Sequence, residues 1–459
     1  MKGTDDKAPI PAPPTGIRRR LAKTLFINLS FMLGLGLFES ARGPTLLDLA
    51  EVYHIDLETL SFMFLTTSVG SLIGSFCTGW FMDKYPGLQA FFLFATTFLL
   101  GLSTLVLPFL RHVYLFFALT FVLGLSSGAV DTAGNLYCLN TWRGLDGGPY
   151  MHSIHFSFSA GSFLAPLLAT PFLSDLEDNT PSRITLFYPL IGGIAMLVST
   201  GFLLFVREEW IEHQQSTNNT HVERDGAESG GPTPKVAKQQ SLTKAKLSLV
   251  VLVGVFVFLY AGAEYSLANF LTTFAVECQL QLSKTQGAEL TAIYWGAFAV
   301  MRLAAIFAAI RLDPKHVMGF SFICSLVGGV ALSIWAEHSF LALQIGTGIL
   351  GVGMASVYAT GILWLEGYVL ITGRLGCLFP IAASIGPDTY PILVGHFIED
   401  WPMLLMHLML ATMVGCILLF MLAACIGRRV QSENQLEIEK EGAEEADEKI
   451  EMKPLEVTN

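Results

Sequence analysis

Stretches of roughly twenty apolar residues, the length an α-helix needs to cross the hydrocarbon core of a bilayer, recur along almost all of this chain. They lie near 24–46, 59–81, 89–109, 113–138, 150–172, 184–206, 246–270, 288–310, 317–335, 340–364, 375–397 and 401–426. Lipid offers the backbone no hydrogen-bond partner, so such stretches must satisfy their own N–H and C=O groups as helices. The expected fold class is an all-α membrane protein with twelve transmembrane helices in two six-helix halves. Composition agrees: 52% of residues are hydrophobic and only 14% charged, where a soluble domain is about one quarter charged.

The remaining bulk properties exclude more than they assign. The net charge of −11 comes largely from the Glu-rich tail after Arg429, which reads as solvated and disordered. No basic patch with interleaved aromatics suggests nucleic acid. Six of the seven cysteines fall in apolar windows and only Cys278 in a loop, which implies neither a disulfide framework nor a metal cluster. The polar, Pro-rich start (Pro9, Pro11, Pro13, Pro14) precedes Arg18–Arg20 and the first span, so no cleaved signal peptide is expected. There is no phosphate-cradling loop, nucleophile elbow or zinc-type His-Glu spacing. Neither an enzyme nor a cofactor is expected.

Lys and Arg distribution orients the spans. One side collects Arg18, Arg19, Arg20, Lys23, Lys84, Arg143, Arg207, Lys244, Lys246, Arg311, Lys315, Arg374, Arg428 and Arg429. The other holds Arg111, Arg183 and Lys284 among many acids, including Asp48, Glu51, Asp56, Glu58, Asp175, Glu177, Asp178, Glu399 and Asp400. Both termini are therefore expected in the cytoplasm. The domain reading is a tail over 1–23, a six-helix half over 24–206, a cytoplasmic linker over 207–245, a second half over 246–426 and an acidic tail over 427–459. The Asn218-Asn219-Thr220 sequon lies in that linker and should stay unmodified. Gly34/Gly36, Gly124/Gly128, Pro166/Pro171 and Gly386/Pro387/Pro391 interrupt spans, either for close helix packing or for bending.

Carboxylates within the spans include Glu39, Asp131 and Glu264. A charge near mid-membrane is expensive, so each is a functional candidate by default. Asp131 and Asn135 are four residues apart and share a helix face. A carboxylate beside a carboxamide suits a pair of sugar hydroxyls. The competing reading pairs Asp131 structurally with Arg42 or Arg302. Glu264 is a candidate for cation or substrate, or else a partner for Arg302. Glu39 is a candidate for ion coupling with Asp131 and Glu264, a gate residue or merely interfacial, and Arg42 follows it by one turn. His152, His155, Ser159 and Ser162 form one polar stripe that lipid would not tolerate; His155 and Ser159 are its candidate substrate contacts, with packing the alternative. Trp295, seven residues before Arg302, offers an indole face to a pyranose, and Trp364 and Tyr358 are weaker candidates of that type. Trp80, Trp142, Trp210 and Trp401 at span ends read as an interfacial belt.

Several motifs resemble a known family. Six plus six spans with a long linker is the layout of the major facilitator superfamily, where the substrate site lies near the midplane and the halves rock. The loop Gly79-Trp80-Phe81-Met82-Asp83-Lys84-Tyr85-Pro86-Gly87 resembles that superfamily's loop motif, which implies a gating role for Asp83 and Lys84, with Arg42 and Arg302 as the candidate gating cations within the spans. Gly128-Ala129-Val130-Asp131-Thr132-Ala133-Gly134-Asn135, His155-Phe156-Ser157-Phe158-Ser159-Ala160-Gly161, Leu259-Tyr260-Ala261-Gly262-Ala263-Glu264-Tyr265, Tyr294-Trp295-Gly296, Met301-Arg302-Leu303 and Ser384-Ile385-Gly386 resemble the fucose–proton symporter branch. Within it they are most similar to the animal sodium-dependent glucose transporters and their major facilitator domain-containing relatives. The resemblance, over residues 24–426, implies a monomeric plasma-membrane transporter of a glucose-like hexose, coupled to Na⁺ or H⁺ through Asp131. Glu39 does not align cleanly with the first-span carboxylate of that branch. Two other readings stay open: a carrier of another solute or uncoupled facilitator, and a non-transporting receptor or scaffold.

Overall fold

The computed structural model describes residues 15–110, 112–143, 145, 148–174, 181–211, 213–214, 243–309, 312–369 and 378–451. Pro9, Pro11, Pro13, Pro14, Arg111, Asp175, Glu177, Asp178, Arg311, Arg374 and the Asn218 sequon lie outside the described residues. Among those described every regular element is helical, and each of the twelve apolar windows holds a helix.

The first window is α1 (Thr15–Leu29), a π-helical segment (Ser30–Gly36) and α2 (Leu37–Ala41). After α3 (Leu46–Tyr53) come α4 (Leu57–Lys84), α5 (Gln89–Val106), α6 (Val113–Thr141), α7 (Gly148–Ala169) and α8 (Ile184–Thr200). The later windows hold α9 (Lys244–Glu277), α10 (Lys284–Ala309), α11 (Pro314–Trp335), α12 (Phe340–Met354) with α13 (Val357–Glu366), α14 (Leu378–Phe397) and α15 (Leu404–Glu451). Nine helices, counted among the described residues, are long and apolar enough to cross a membrane. Their outward faces carry largely exposed side chains such as Phe76, Leu197 and Val300, which only a lipid surround makes inexpensive.

Local chemistry sets the boundaries. Asp56 caps α4, accepting from the Thr59 backbone N–H at 3.0 Å and its hydroxyl at 2.8 Å, which satisfies donors the first turn leaves open. His54 ends α3 in the left-handed conformation at φ 53°. Prolines sit inside α7, α8 and α14, as neighbouring helices in a bundle permit. The acidic tail differs from expectation: α15 continues as helix through Glu451. Its Glu, Ala and Lys residues are good helix formers, and they extend a nucleus that the span already provides.

The described residues fall into two compact units, one within Met1–Gly230 plus Ser283–Ala299 and the other within Gly231–Leu282 plus Val300–Asn459. In the first, α4 packs on α6, α5 on α8, and α7 on the π segment. In the second, α9 packs on α14 and α15, and α11 on α12. Small residues allow the close approaches. A Cβ at Gly124 or Gly128 would stand 1.8 Å from the Thr67 carbonyl oxygen and 2.2 Å from that of Ser71, both on α4.

Candidate functional site

In the first unit the site residues hang on three helices locked by backbone contact. Gly36 of the π segment and Gly161 of α7 touch so closely that a Cβ on Gly161 would lie 2.0 Å from the Met32 carbonyl oxygen. A Cβ on Gly134 of α6 would lie 2.3 Å from the Phe31 ring. The π segment, whose extra residue per turn shifts all side chains that follow, thus meets both the helix that carries Asp131 and the helix that carries His155. It also sets the facing of Glu39, three residues beyond its end.

Glu39, Asp131 and Glu264 have different electrostatic surroundings. Glu39 pairs with Arg42, whose Nη2 meets Glu39 Oε2. Arg42 is itself 1% exposed and lies over the rings of Phe38 and Phe64, at 4.9 and 5.7 Å. In the second unit Glu264 is half-buried on α9, with the Arg302 guanidinium acting on it electrostatically. Asp131 stands apart. Its hydrogen-bonding side chain is Asn135, whose Nδ2 donates to Asp131 Oδ1 at 3.3 Å and to the Asp131 carbonyl at 2.9 Å. Among the described residues no cation pairs with Asp131, and its side chain is exposed. Arg42 is engaged by Glu39 rather than by Asp131.

A second cluster gathers around Trp295 on α10. The indole is 6% exposed, edge-on to Phe158 of α7 with centroids 6.2 Å apart, and close to Phe298 at 5.2 Å. Its Nε1 is buried without an acceptor, an uncommon state for a group that usually finds a partner when buried. On α7, one turn beyond Phe158, Ser162 is fully buried and its Oγ is likewise unpartnered. Ser159, in contrast, donates to the His155 carbonyl at 3.1 Å. The His155 ring is exposed on the same helix.

The loop residues Asp83 and Lys84 are exposed at the end of α4, and Lys84 Nζ lies over the Trp80 ring at 4.6 Å. Trp80, Trp210 and Trp401 are about half exposed or more, as a belt requires. Trp142 is not part of it: 5% exposed, it stacks on Tyr150 at 3.5 Å and donates from Nε1 to Thr24 Oγ1 at 2.9 Å. Trp364 is buried against Tyr368 and Phe420, as a packing residue.

Two charged clusters escaped the sequence reading. Glu209, 7% exposed, accepts from Lys23 Nζ at 2.7 Å, from the Tyr137 hydroxyl and, at 3.0 Å, from the Ala90 N–H in the first turn of α5. Its place in the sequence assigns it to the linker over 207–245. Asp48, Glu51, Ser174 and Lys284 form the other cluster. Their charges were counted for orientation, but nothing in one-dimensional spacing joins positions so far apart.

Among the described residues the bundle thus holds an acid, Asp131, with no paired cation, and buried polar groups without a partner, Trp295 Nε1 and Ser162 Oγ among them. The chain belongs to the Major Facilitator Superfamily: that family's model matches residues 26–281. It is 31% identical over 400 residues to human "Sodium-dependent glucose transporter 1", covering 81% of this chain and 72% of that one. It is 30% identical over 395 residues to mouse "Sodium-dependent glucose transporter 1A", covering 81% and 90%. Xenopus tropicalis "Major facilitator superfamily domain-containing protein 4A" is more distant, 22% identical over 83% of this chain and 87% of its own. Among solved structures, a D-xylose–proton symporter superposes with TM-score 0.62 at 14% identity over 87% of this chain and 97% of that one. The nucleoside transporter NupG gives 0.58 at 14% identity over 89% and 98%. At that identity these structures establish the fold.

Proposed function

We propose that this chain is a secondary active transporter. It moves a glucose-like hexose across the plasma membrane by alternating access, coupled to Na⁺ or H⁺, as a monomer with both termini in the cytoplasm. The observation that carries the reading is Asp131. Glu39 and Glu264 each have a cation beside them, so their charges are already offset. A carboxylate in the membrane without one is costly unless an ion or a proton neutralises it during the cycle. Relatives named for sodium-dependent glucose transport, at about 30% identity across four fifths of the chain, support Na⁺ and glucose as the first pair to test.

The roles follow from the chemistry of each group. Asp131 and Asn135 together present acceptors and a donor to vicinal hydroxyls while Asp131 takes the ion, so ion occupancy changes sugar affinity. The buried Trp295 N–H donates to a sugar oxygen as its ring covers the apolar face, and His155 and Ser159 contribute from α7. Glu39–Arg42, one turn apart on the same helical segment, and Glu264–Arg302, between α9 and α10, keep their charges offset, and Asp83 and Lys84 act at the loop after α4. Uptake of labelled glucose into proteoliposomes under Na⁺, H⁺ or no gradient tests the function. Na⁺-stimulated uptake is expected, and no uptake under any of the three conditions refutes it. A competition panel of sugars, polyols and organic ions identifies any other solute.

A further inference from the structure

Lys284, the first residue of α10, is only 7% exposed. Its ammonium lies 2.8 Å from Asp48 Oδ1, 2.5 Å from Glu51 Oε1 and 2.6 Å from Ser174 Oγ. Asp48 is completely buried and is held in turn by the Ser174 hydroxyl at 2.6 Å and the Ser174 backbone N–H at 3.2 Å. The serine hydroxyl has one proton, so it donates to Asp48 and accepts from Lys284. One cation therefore fastens three separate stretches of chain: the short helix α3, Ser174 beyond α7, and the start of α10.

A purely structural role explains this cluster poorly. A buried ion pair recovers little more than the cost of stripping water from its members, and its best-attested use is to select one arrangement over another. Here the three stretches converge on a single side chain, and one arm, Glu51, is half open to solvent, which gives water a route to take over the contact. The helix so held belongs to both compact units: residues up to Ala299 group with the first, and those from Val300 with the second. Ala288, one turn beyond Lys284, is completely buried, so the latched face of α10 is closed.

We propose that Lys284 with Asp48, Glu51 and Ser174 is a latch on the membrane face opposite the termini. Closed, it pins the start of α10 against α3 and Ser174; released, it lets that end of the helix lift and exposes the face that carries Ala288. The inference rests on the orientation and transport reading proposed above.

The test uses the full chain in intact cells with Ala288→Cys as a buried reporter and a membrane-impermeant maleimide outside, against the same chain without the reporter. With the latch intact, labelling is slow. Lys284→Met removes the cation at similar length and is expected to speed labelling about tenfold, as a shift of the closed–open equilibrium requires. Should Lys284→Met fail to reach the surface, Glu51→Gln, which cuts only the half-exposed arm, is expected to speed it roughly threefold by the same population argument. An unchanged rate in whichever variant reaches the surface overturns the latch. Glucose uptake measured in parallel separates the two readings: unchanged labelling with intact Na⁺-driven uptake sinks the latch alone. Faster labelling without uptake of any solute in the panel sinks the transport reading and leaves the latch standing.

Discussion

In the proposed mechanism coupling rests on Asp131, because of Glu39, Asp131 and Glu264 it is the one with no neighbouring cation among the described residues. Asp131→Asn keeps the shape and the bond to Asn135 but removes the charge an ion would meet. The expected result is uptake that no longer responds to the ion gradient, read as the ratio of uptake with and without Na⁺ falling to about one. Glu264→Gln should act differently, since Glu264 offsets Arg302: the gradient response persists and thermal stability in detergent falls. Trp295→Phe keeps an aromatic face, smaller than the indole, and deletes the orphan N–H. One hydrogen bond to a sugar is worth about 1 kcal/mol, so KM for glucose is expected to rise roughly fivefold with surface expression unchanged. An unaltered KM removes Trp295 from the sugar site.

At the scale of elements, glycine contacts and caps decide how the helices seat. Gly128→Ala drives a methyl into the Ser71 carbonyl and should cost about 1–3 kcal/mol by overpacking, seen as a lower midpoint in a thermal unfolding assay. Gly254→Ala, at a glycine with open space around it, should not lower that midpoint. Asp56 gives an element-scale pH effect. The Thr59 N–H and then the Thr59 hydroxyl hold its carboxyl below the ordinary carboxylate range. A lowered value in the folded state means that the cap's contribution is complete above the ordinary carboxylate pKa and is lost as pH falls through the lowered one. Asp56→Ala should therefore destabilise at neutral pH, by at most about 1 kcal/mol at so exposed a site, and progressively less as the pH drops below 4. Equal destabilisation at every pH would show that the charge contributes nothing.

For the molecule as a whole, apolar length settled the architecture from sequence, because a helix that must cross lipid can be recognised by length and composition alone. The same reasoning found the intramembrane acids, whose cost is visible without coordinates. It failed where partners are distant in sequence. Glu209 looked like a linker charge, yet it closes a buried cluster with Lys23, Tyr137 and the first turn of α5. Trp142 looked like a belt residue, yet it stacks on Tyr150 and bonds Thr24.

The sequence by itself determined that this chain lives in a membrane as a helical bundle and which few charges it carries there, since burial in lipid penalises each one residue by residue. Only the tertiary structure decided which acids are offset. Glu39 meets Arg42, Glu264 lies in the field of Arg302, and Asp131 has a carboxamide beside it. That choice depends on helix rotation, set here by a π segment and glycine contacts. Neither hydropathy nor spacing records it, because a charge's worth depends on what stands opposite it in space.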